Sequence, residues 1–480
     1  MIGAGPAGLA AAIFAARVVR PGAHHEAVRP EADRGLGRAV LLIDRMAQPG
    51  RKLLATGGGR CNVTNASEMS AMCAAFGEAA RFVRPAITSF CGPDLLAFLS
   101  SLGVECSAAD GFHYYPRSES ARDVLEALLN ACRASGVTIL TGCRVTAIEA
   151  DAGRVVALRT DKGRVPVRAA VLAAGGRSYP KLGSDGSGFG LVEALGGRVI
   201  APVPALAGLK VKERWVRALS GVAVPDVVLS VPIFGAKAVR TRGELLFTHT
   251  GLSGPAALDA SRTISRALCS SAHVEVRIDF APGVARDVME SAIVAAGAAS
   301  GTRLVRTEVA RYVPASLAQK LCGLRKWVQA PVSPEATGRQ NSCQERRQAD
   351  MGTGTCFPAG ARIFDRGHRE GNSCQSPSLP ETRLAALTAR ARKAMLDAVK
   401  GCRVRVTGTD GFPGAMVTSG GVDRAEVSAR TLESTRVKGL FFAGEVVDVD
   451  GPCGGYNLQW AFSSGRLAGL SAAESANPST

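Results

Sequence analysis

The alternation of apolar and polar positions divides the chain into regions of different texture. Residues 1–202 contain short, wholly apolar runs of the kind that form buried parallel strands, separated by helical segments. Residues 203–285 alternate valine with polar residues, which is the two-residue period of half-buried strands. Helical patterns follow at 286–330 and 381–403, and residues 404–480 return to buried apolar strands that end in glycine. The pattern predicts an α/β protein in which a β-rich domain and a small helical domain interrupt one larger domain.

One further region fits none of these patterns. Residues 331–380 are rich in Ser, Gln, Arg, Gly and Pro, and the tetrapeptide Asn-Ser-Cys-Gln occurs in them twice, at 341–344 and 372–375. Such a composition offers too little apolar surface to offset the entropy of ordering the chain. We therefore predict a disordered insertion at 331–380, between the helical segment and the helix at 381–403.

The first glycines of the chain form a Gly-x-Gly-x-x-Gly turn that opens an alanine-rich helix. Gly3 permits the tight turn, Gly5 lets the backbone approach a pyrophosphate, and Gly8 lets the helix pack on a strand. The helix N-terminus, where Pro6 and Ala7 lie, presents free N–H groups to phosphate oxygens. These residues predict a dinucleotide-binding site.

A dinucleotide fold has a buried strand of roughly five residues before its first glycine. Only Met1 and Ile2 precede Gly3 here. We therefore expect either a start further upstream or a shortened first strand that weakens the site.

An acidic residue ends the next buried strand, at Asp44. In dinucleotide folds an acid at this place accepts hydrogen bonds from ribose hydroxyls. It normally follows the glycines by about 20 residues, so the charged, Pro- and Gly-rich segment 18–38 is interpreted as an insertion. The alternative is that Asp44 is an ordinary turn residue at the end of a strand.

A second glycine-rich loop follows at residues 50–65. Consecutive glycines expose backbone amides and permit positive φ angles, and basic and amide side chains flank them. The loop is thus suited to lie along an anionic dinucleotide, and its candidate contacts are Arg51, Lys52, Gly58, Gly59, Arg60, Cys61 and Asn62.

Three later segments complete the predicted site. A buried strand runs into the turn Ala174-Gly175-Gly176, and another ends at Gly444-Glu445. The final helix begins at Gly455-Tyr456-Asn457-Leu458, and its N-terminus would favour a negative charge placed beside it.

These motifs together resemble one family. GAGPAGLAAAI, a strand ending in an acid, PGRKLLATGGGRCNVTN, the Gly-Gly-x-Ser-Tyr-Pro segment at 175–180 and the end of the chain are similar to the YhiN/BaiN-like (aminoacetone oxidase-like) flavoproteins. The resemblance covers residues 1–330 and 381–480, apart from 18–38. It implies a Rossmann-type FAD-binding domain of the two-dinucleotide-binding-domain type, with FAD as cofactor and NAD(P)H as transient electron donor.

The resemblance also implies roles for single residues. Val145 would contact adenine, and Glu445 would bind the ribityl chain or bridge to phosphate, with Asp448 and Asp450 as alternatives. The residues expected to bind the cofactor are Gly3, Gly5, Pro6, Ala7, Gly8, Asp44, Arg51, Lys52, Gly58, Gly59, Arg60, Cys61, Asn62, Val145, Ala174, Gly175, Gly176, Gly444, Glu445, Gly455, Tyr456, Asn457 and Leu458.

The reaction implied by the resemblance is reduction of an activated carbon–carbon double bond, in a bile-acid-type enone or an RNA uridine. Flavin N5 would deliver hydride to the β-carbon, and an acid near His249, Cys453 or Tyr456 would protonate the α-carbon. His249 and Cys453 also suit structural roles, as a hydrogen-bonded loop residue and a packed thiol. His113 is either a proton carrier or a surface loop residue.

Two other functions remain open. An FAD amine oxidase would take hydride from a small aminoketone and be reoxidised by oxygen. An RNA-binding protein with an impaired flavin site would account for the short first strand and for the insertion, and would bind RNA with steep salt dependence.

Composition adds limits to these functions. The formal net charge of +17 suits an anionic substrate or an RNA partner, although an arginine-rich composition without a function is the alternative. Thirteen scattered cysteines without a CxxC pair indicate reduced thiols, and the six histidines do not cluster with them as metal ligands would. No apolar run is long enough for a membrane helix. We expect a cytoplasmic protein, or an organellar one if a segment precedes Met1; the sequence leaves the oligomeric state open.

Overall fold

The computed structural model describes residues 1–19, 39–233, 236–300, 302–323 and 382–476. The insertion predicted at 331–380 lies outside these ranges, as does most of the predicted loop at 18–38.

The chain forms two compact units, one of Met1–Val284 with Val399–Thr480 and one of Ala285–Ala398. Their helices are α1 (Pro6–Val19), α2 (Met69–Ala74), α3 (Ala80–Ser89), α4 (Gly92–Ser101), α5 (Ala121–Ala134), α6 (Ser187–Glu193), α7 (Arg214–Arg217), α8 (Pro255–Leu268), α9 (Arg286–Ala299), α10 (Val305–Val309), α11 (Ala315–Gly323), α12 (Ala389–Lys400), α13 (Gly411–Gly414) and α14 (Tyr456–Ser475). Their strands are β1 (Leu41–Ile43), β2 (Thr64–Asn65), β3 (Cys106–Ser107), β4 (His113–Pro116), β5 (Thr138–Leu140), β6 (Val145–Asp151), β7 (Arg154–Thr160), β8 (Gly163–Pro166), β9 (Ala170–Leu172), β10 (Val199–Ala205), β11 (Leu209–Val211), β12 (Ala223–Ile233), β13 (Ala236–Phe247), β14 (Gly251–Ser253), β15 (Val274–Asp279), β16 (Cys402–Thr409), β17 (Val417–Val422) and β18 (Leu440–Phe442).

A parallel sheet at the centre of the larger unit joins both ends of the chain. β1 pairs with β5 and β9 pairs with β18, in both cases parallel. Ile2 lies between the two pairs and bridges to Ile43 on one side and to Leu172 on the other. Its amide donates to the carbonyl of Val171 at 2.8 Å, and the amide of Gly3 donates to the carbonyl of Ile43 at 2.8 Å. The short first strand thus takes the central place of the sheet.

Helix α1 follows this strand directly and is buried along most of its length. Pro6 is its first residue, where a missing N–H costs nothing, and six alanines favour the helix. Helix α14 packs on α1 through glycines one turn apart. A Cβ on Gly465 would lie 2.3 Å from the carbonyl oxygen of Ala7, and one on Gly469 would lie 2.3 Å from that of Ala11. The two backbones therefore approach more closely than any larger side chains would allow.

The β-rich region is a closed six-stranded barrel. The strands pair in the order β11-β14-β13-β12-β15-β16, and β16 returns to β11. Alternate residues such as Val276, Ile278, Val404 and Val406 are buried, while the residues between them point outward, which explains the two-residue period of the sequence. β16 closes the barrel although most of it, from residue 404 onward, belongs to the region that the sequence analysis assigned to the nucleotide-binding domain.

Helix α8 carries an apolar face, and it contacts several barrel strands as well as β10. β10 pairs antiparallel with β17, and these two strands connect the barrel to the parallel sheet region. Two small antiparallel sheets, β6-β7-β8 and β2-β4-β3, complete the larger unit.

The smaller unit is helical, with one bridge between Leu304 and Arg383. Its only charged side chain below two percent exposure among the described residues is Glu308, which accepts from Arg303 at 3.1 Å and from Arg311 at 2.9 Å. These two bonds satisfy both carboxylate oxygens, as burial of the charge requires. In the part of the chain that the structure describes, no helix combines the length and apolarity needed to cross a bilayer.

Candidate functional site

The glycine turn separates into two positions set by packing and one that borders open space. Gly3 has a φ of +101°, and a Cβ there would lie 2.5 Å from the carbonyl oxygen of Ala173. A Cβ on Gly8 would lie 1.8 Å from the carbonyl oxygen of Gly3. No atom lies within 4 Å of a Cβ on Gly5. A ligand can therefore approach the backbone at Gly5, at the N-terminus of α1.

Asp44 lies beside this turn at the end of β1. Its carboxylate accepts from the amide of Ala4 at 2.6 Å and from that of Met46 at 2.7 Å. Each carboxylate oxygen retains a lone pair for a further donor such as a ribose hydroxyl. The structure thus brings the predicted acid to the glycine turn even though many residues separate them in the chain.

Two buried donors without partners lie near Asp44. Arg45 pairs with Asp185, but its Nε makes no hydrogen bond with the described residues. The hydroxyl of Ser184 is buried and equally unpartnered, and a Cβ on Gly175 would lie 2.8 Å from it. Buried N–H and O–H groups are costly without acceptors, so their orphan state points to an absent acceptor-bearing ligand.

The second glycine loop has left-handed backbone at each of its three glycines, with φ of +57°, +68° and +93° at Gly57, Gly58 and Gly59. A Cβ on Gly58 would meet nothing within 4 Å. The guanidinium of Arg60 lies over the ring of Tyr115, 4.7 Å from its centroid. The loop therefore exposes amides to open space beside a cation.

Cys61 and Asn62, which follow Arg60 in this loop, have different environments. Cys61 is fully buried, and burial raises the pKa of its thiol to about 12, so the thiol stays neutral. The side chain of Asn62, with its amide nitrogen facing the carbonyls of Tyr114 and Thr64, accepts from the amide of Gly455 at 3.2 Å. Asn62 therefore fastens the loop to the start of α14.

A second link joins the loop to the end of β18. Lys52 donates to Glu445 at 2.5 Å, and the other carboxylate oxygen of Glu445 accepts from the amide of Thr418 at 2.8 Å. A Cβ on Gly176 would lie 2.4 Å from the hydroxyl of Thr418 and 2.7 Å from Glu445. Glu445 thus serves as an anchor among three segments, and Gly176 is required by this crowding.

The residues before α14 form a compact loop. Asn457 accepts from the amide of Gly451 at 2.8 Å and donates to the carbonyl of the same residue at 3.0 Å. Asn65 donates to the carbonyl of Gly454 at 2.6 Å, and the hydroxyl of Tyr456 lies 3.2 Å from that of Ser67. This loop and β2 therefore hold the N-terminus of α14 in place.

The remaining predicted cofactor contacts lie around the same segments. Ala7 packs against Gly444, whose Cβ would lie 2.8 Å from the Ala7 side chain. Val145 and Ala174 are half-buried against the core that contains Ile2, whereas Leu458 packs against the neighbouring core of α1. Residues 3–8, 44–62, 174–176, 184 and 444–457 are called the nucleotide cradle below.

The three predicted proton donors, His249, Cys453 and Tyr456, do not form one group of contacting side chains. Cys453 packs against the apolar cluster of α8 and β17, and its amide donates to Asp259 at 2.8 Å. Burial raises the pKa of the Cys453 thiol, and Asp259 adds to the effect. His249 is exposed at the turn between β13 and β14. No hydrogen bond of the described residues joins His249 to Cys453 or to Tyr456.

Sequence reasoning missed a group of polar residues on α8. Asp259 holds Cys453, and Arg262 donates to the carboxylate of Asp450 at 3.1 Å. Burial raises the pKa of both carboxyl groups, Asp259 and Asp450. Spacings of three and four residues bring Asp259, Arg262 and Arg266 to one helix face, and this was the available signal.

His113 is a second residue whose position only the structure reveals. A Cβ on Gly454 would lie 3.2 Å from its Nε2, and its Nδ1 lies 2.6 Å from Asp110. Hydrogen bonds from His113 hold the pKa of Asp110 well below its usual range. The imidazole thus borders the loop before α14.

The model of the family described as HI0933-like protein Rossmann domain matches residues 1–471. This chain belongs to the HI0933-like family. The membership confirms the resemblance to the YhiN/BaiN-like flavoproteins, the Rossmann fold and the expected class of FAD-dependent oxidoreductase.

Two curated relatives are similar along nearly their whole length. The chain is 33% identical over 476 residues to the 3-dehydro-bile acid delta(4,6)-reductase of Clostridium scindens, covering 99% of this chain and 98% of the relative. It is 29% identical over 434 residues to the ribosomal RNA dihydrouridine synthase of Escherichia coli, covering 89% and 90%. Among solved structures, a flavocytochrome c3 fumarate reductase aligns with 99% of this chain and 78% of its own at 15% identity and a TM-score of 0.45.

The residues of the cradle fit a dinucleotide. The open space at Gly5 and Gly58 leaves room at backbone amides, and the orphaned Arg45 Nε and Ser184 hydroxyl need acceptors. Phosphate and ribose oxygens are acceptors of this kind.

Proposed function

We propose that this protein is an FAD-dependent reductase that uses NAD(P)H to saturate a carbon–carbon double bond conjugated to a carbonyl group. The observation that carries the proposal is the cradle, where open glycine backbone and unpartnered donors border the N-terminus of α1. FAD, when bound, would accept a hydride from NAD(P)H and pass one from N5 to the β-carbon of the substrate.

The chain's own residues would divide the cofactor between them. Gly5 and the first amides of α1 would bind the pyrophosphate, and Asp44, Arg45 and Ser184 would bind the adenosine half. The N-terminus of α14 would face the flavin ring, where its positive end favours negative charge. Lys52 and Glu445 would hold the second glycine loop against the end of β18.

Protonation of the substrate α-carbon falls to a residue beside the loop before α14. Cys453 carries a thiol that its surroundings keep neutral, and Tyr456 carries a hydroxyl within hydrogen-bonding distance of Ser67. These two are the donors that we propose to test first. His249 lies exposed on the barrel and ranks after them.

The names of the relatives support the class of substrate. One is named a reductase of a 3-dehydro-bile acid and the other a synthase of dihydrouridine in ribosomal RNA. A 3-oxo steroid with a conjugated double bond and a uracil ring both present C=C next to C=O. We propose this chemistry for the present chain, in the cytoplasm, with either a small enone or an RNA base as substrate.

An absorbance spectrum of the purified protein followed by anaerobic NADH and NADPH addition tests the proposal. We expect flavin bands that bleach with one nucleotide and return when a 3-oxo-4-ene steroid acid or uridine-containing RNA is added. Return of the bands only with oxygen, after reduction by an aminoketone, would indicate an amine oxidase instead. A colourless protein that takes up no FAD and still binds RNA would contradict the proposal and favour the RNA-binding alternative.

A further inference from the structure

Arginines line up across the outer face of the barrel. In the strand register Arg403 of β16 lies opposite Arg277 of β15, which lies opposite Ser230 of β12. Ser230 in turn lies opposite Arg240 of β13. Neighbouring strands are about 4.8 Å apart, so three guanidinium groups extend from one row of four positions.

Few acidic side chains of the described residues offset the positive charge of these arginines. Like charges directly opposite each other on paired strands are destabilising. Glu275 is the acid beside the row, and one of its oxygens lies 3.5 Å from Arg403 and 3.9 Å from Arg277. Arg240 forms no ion pair with the residues that the structure describes. A single exposed carboxylate shared at such distances offsets little of the repulsion.

The row itself ends at Arg403, because β11 pairs with β16 only from Val406 onward, with Lys210 opposite Gly408. Two lysines extend the basic surface along β16. β11 pairs with β16 and presents Lys210 outward, and Lys212, just beyond it, donates its amide to the carbonyl of Arg405 at 2.9 Å. Both lysines are exposed and form no ion pair within the described chain. The basic band is defined here as Lys210, Lys212, Arg240, Arg277 and Arg403.

We infer that the basic band binds the phosphate backbone of RNA. The inference rests on the proposed function, because it selects an RNA base over a free small molecule as the natural substrate. Guanidinium groups on rigid strands suit phosphate oxygens, which they bind with paired N–H donors. The row position between the arginines is the polar Ser230, which can itself donate a hydrogen bond to a phosphate oxygen.

Replacement of three arginines tests the band. The triple variant Arg240→Gln, Arg277→Gln and Arg403→Gln removes three charges from it. The matched control is Arg154→Gln, Arg159→Gln and Arg164→Gln, which removes three charges from exposed residues of the antiparallel sheet β6-β7-β8. Binding of a fluorescein-labelled, uridine-containing 20-nucleotide RNA is measured by anisotropy at several salt concentrations.

We expect the band variant to bind this RNA at least tenfold more weakly than the unchanged protein. The slope of log affinity against log salt should fall by roughly 2, because each lost phosphate contact removes about 0.7 to 0.9 from it. The control should lose less than threefold. Equal losses in both variants, or unchanged binding in the band variant, would overturn the inference. So would binding to vesicles of anionic phospholipid in place of RNA.

Flavin absorbance and reduction of a 3-oxo-4-ene steroid acid in the same variants separate this inference from the proposed function. Both readouts should be unchanged in the band variant, because the band lies outside the cradle. Loss of RNA binding with both readouts intact supports the inference. If the unchanged protein holds flavin and reduces the steroid acid but binds no RNA, the inference fails while the proposed function stands.

Discussion

The nucleotide cradle and the barrel are built on opposite principles. In the cradle and at the helix pair behind it, the residue type is set by backbone atoms that come too close for a side chain, as at Gly8 and Gly469. In the barrel, the inward residues only need to be apolar, and the outward ones are free to carry charge. The comparison teaches that the cradle should be intolerant of single methyl groups, whereas the barrel face should tolerate exchange and affect only what binds there.

The largest effect is expected where α14 meets α1. Gly469→Ala places a Cβ 2.3 Å from the carbonyl oxygen of Ala11, so the helices must separate. We expect a loss of about 3 kcal/mol in the free energy of unfolding, measured by urea denaturation, which is the upper range for overpacking. Gly190→Ala in α6 is the control, because nothing lies within 4 Å of its Cβ position, and it should not destabilise the fold. Equal stability of both variants would contradict the close packing.

The second effect separates binding from folding within the cradle. Gly5→Ala adds a methyl group where no protein atom lies within 4 Å. Thermal unfolding of the apoprotein should therefore be unchanged, while FAD affinity falls by about thirtyfold, or roughly 2 kcal/mol. Quenching of flavin fluorescence on titration measures this affinity. If FAD binds the variant as tightly as the unchanged protein, the pyrophosphate does not lie at Gly5.

A smaller effect is expected at the link between the second glycine loop and β18. Lys52→Met leaves the carboxylate of Glu445 without its cation, although Thr418 still donates to it. FAD affinity should fall by about fivefold, or roughly 1 kcal/mol, because the loop is less well held. Lys438→Met, which removes an exposed lysine, should leave the affinity unchanged. An equal loss of FAD affinity in this control would show that removal of a positive charge, and not loss of the link to Glu445, lowers the affinity.

The smallest predicted effect concerns the alkylation rates of two buried thiols, one in the cradle and one in the barrel. Burial raises the pKa of Cys61 in the cradle and of Cys402 in the barrel to about 12, above the usual 9.0. The neutral thiol therefore stabilises the fold fully below pH 9, and this contribution is lost as the pH rises from 9 towards 12. At pH 9 only opened molecules should react with iodoacetamide. Bound FAD should slow alkylation of Cys61 several-fold and leave Cys402 unaffected; equal slowing would mean that the two regions open together.

Much of the fold was predictable because short-range patterns carry it. The Rossmann fold follows from glycine spacing, apolar runs and the family resemblance, and the half-buried strands at 203–285 follow from the alternation of valine with polar residues. Their closure into a barrel by β16 does not follow from that alternation. Of the cradle, the glycine turns and Asp44 could be placed from motifs whose chemistry depends on neighbours in the sequence. Their binding roles remain a proposal that the predictions above address.

Partners that are distant in the chain could not be predicted in the same way. The pairing of Lys52 with Glu445 joins residues 393 positions apart, and neither residue has a local signal for the other. The link from Asp259 to Cys453 and the open donors at Arg45 and Ser184 depend equally on how helices and loops meet.

The sequence by itself determined the local geometry: where glycine permits a turn, where a strand is buried on both faces, and where a helix begins. Those choices follow from the sterics and solvation of consecutive residues. The tertiary structure alone decided which distant side chains share a charge, which thiols are sealed from water, and that three arginines far apart in the chain form one row across the barrel. The reason is that strand register and helix packing bring together groups whose interaction depends on distance in space.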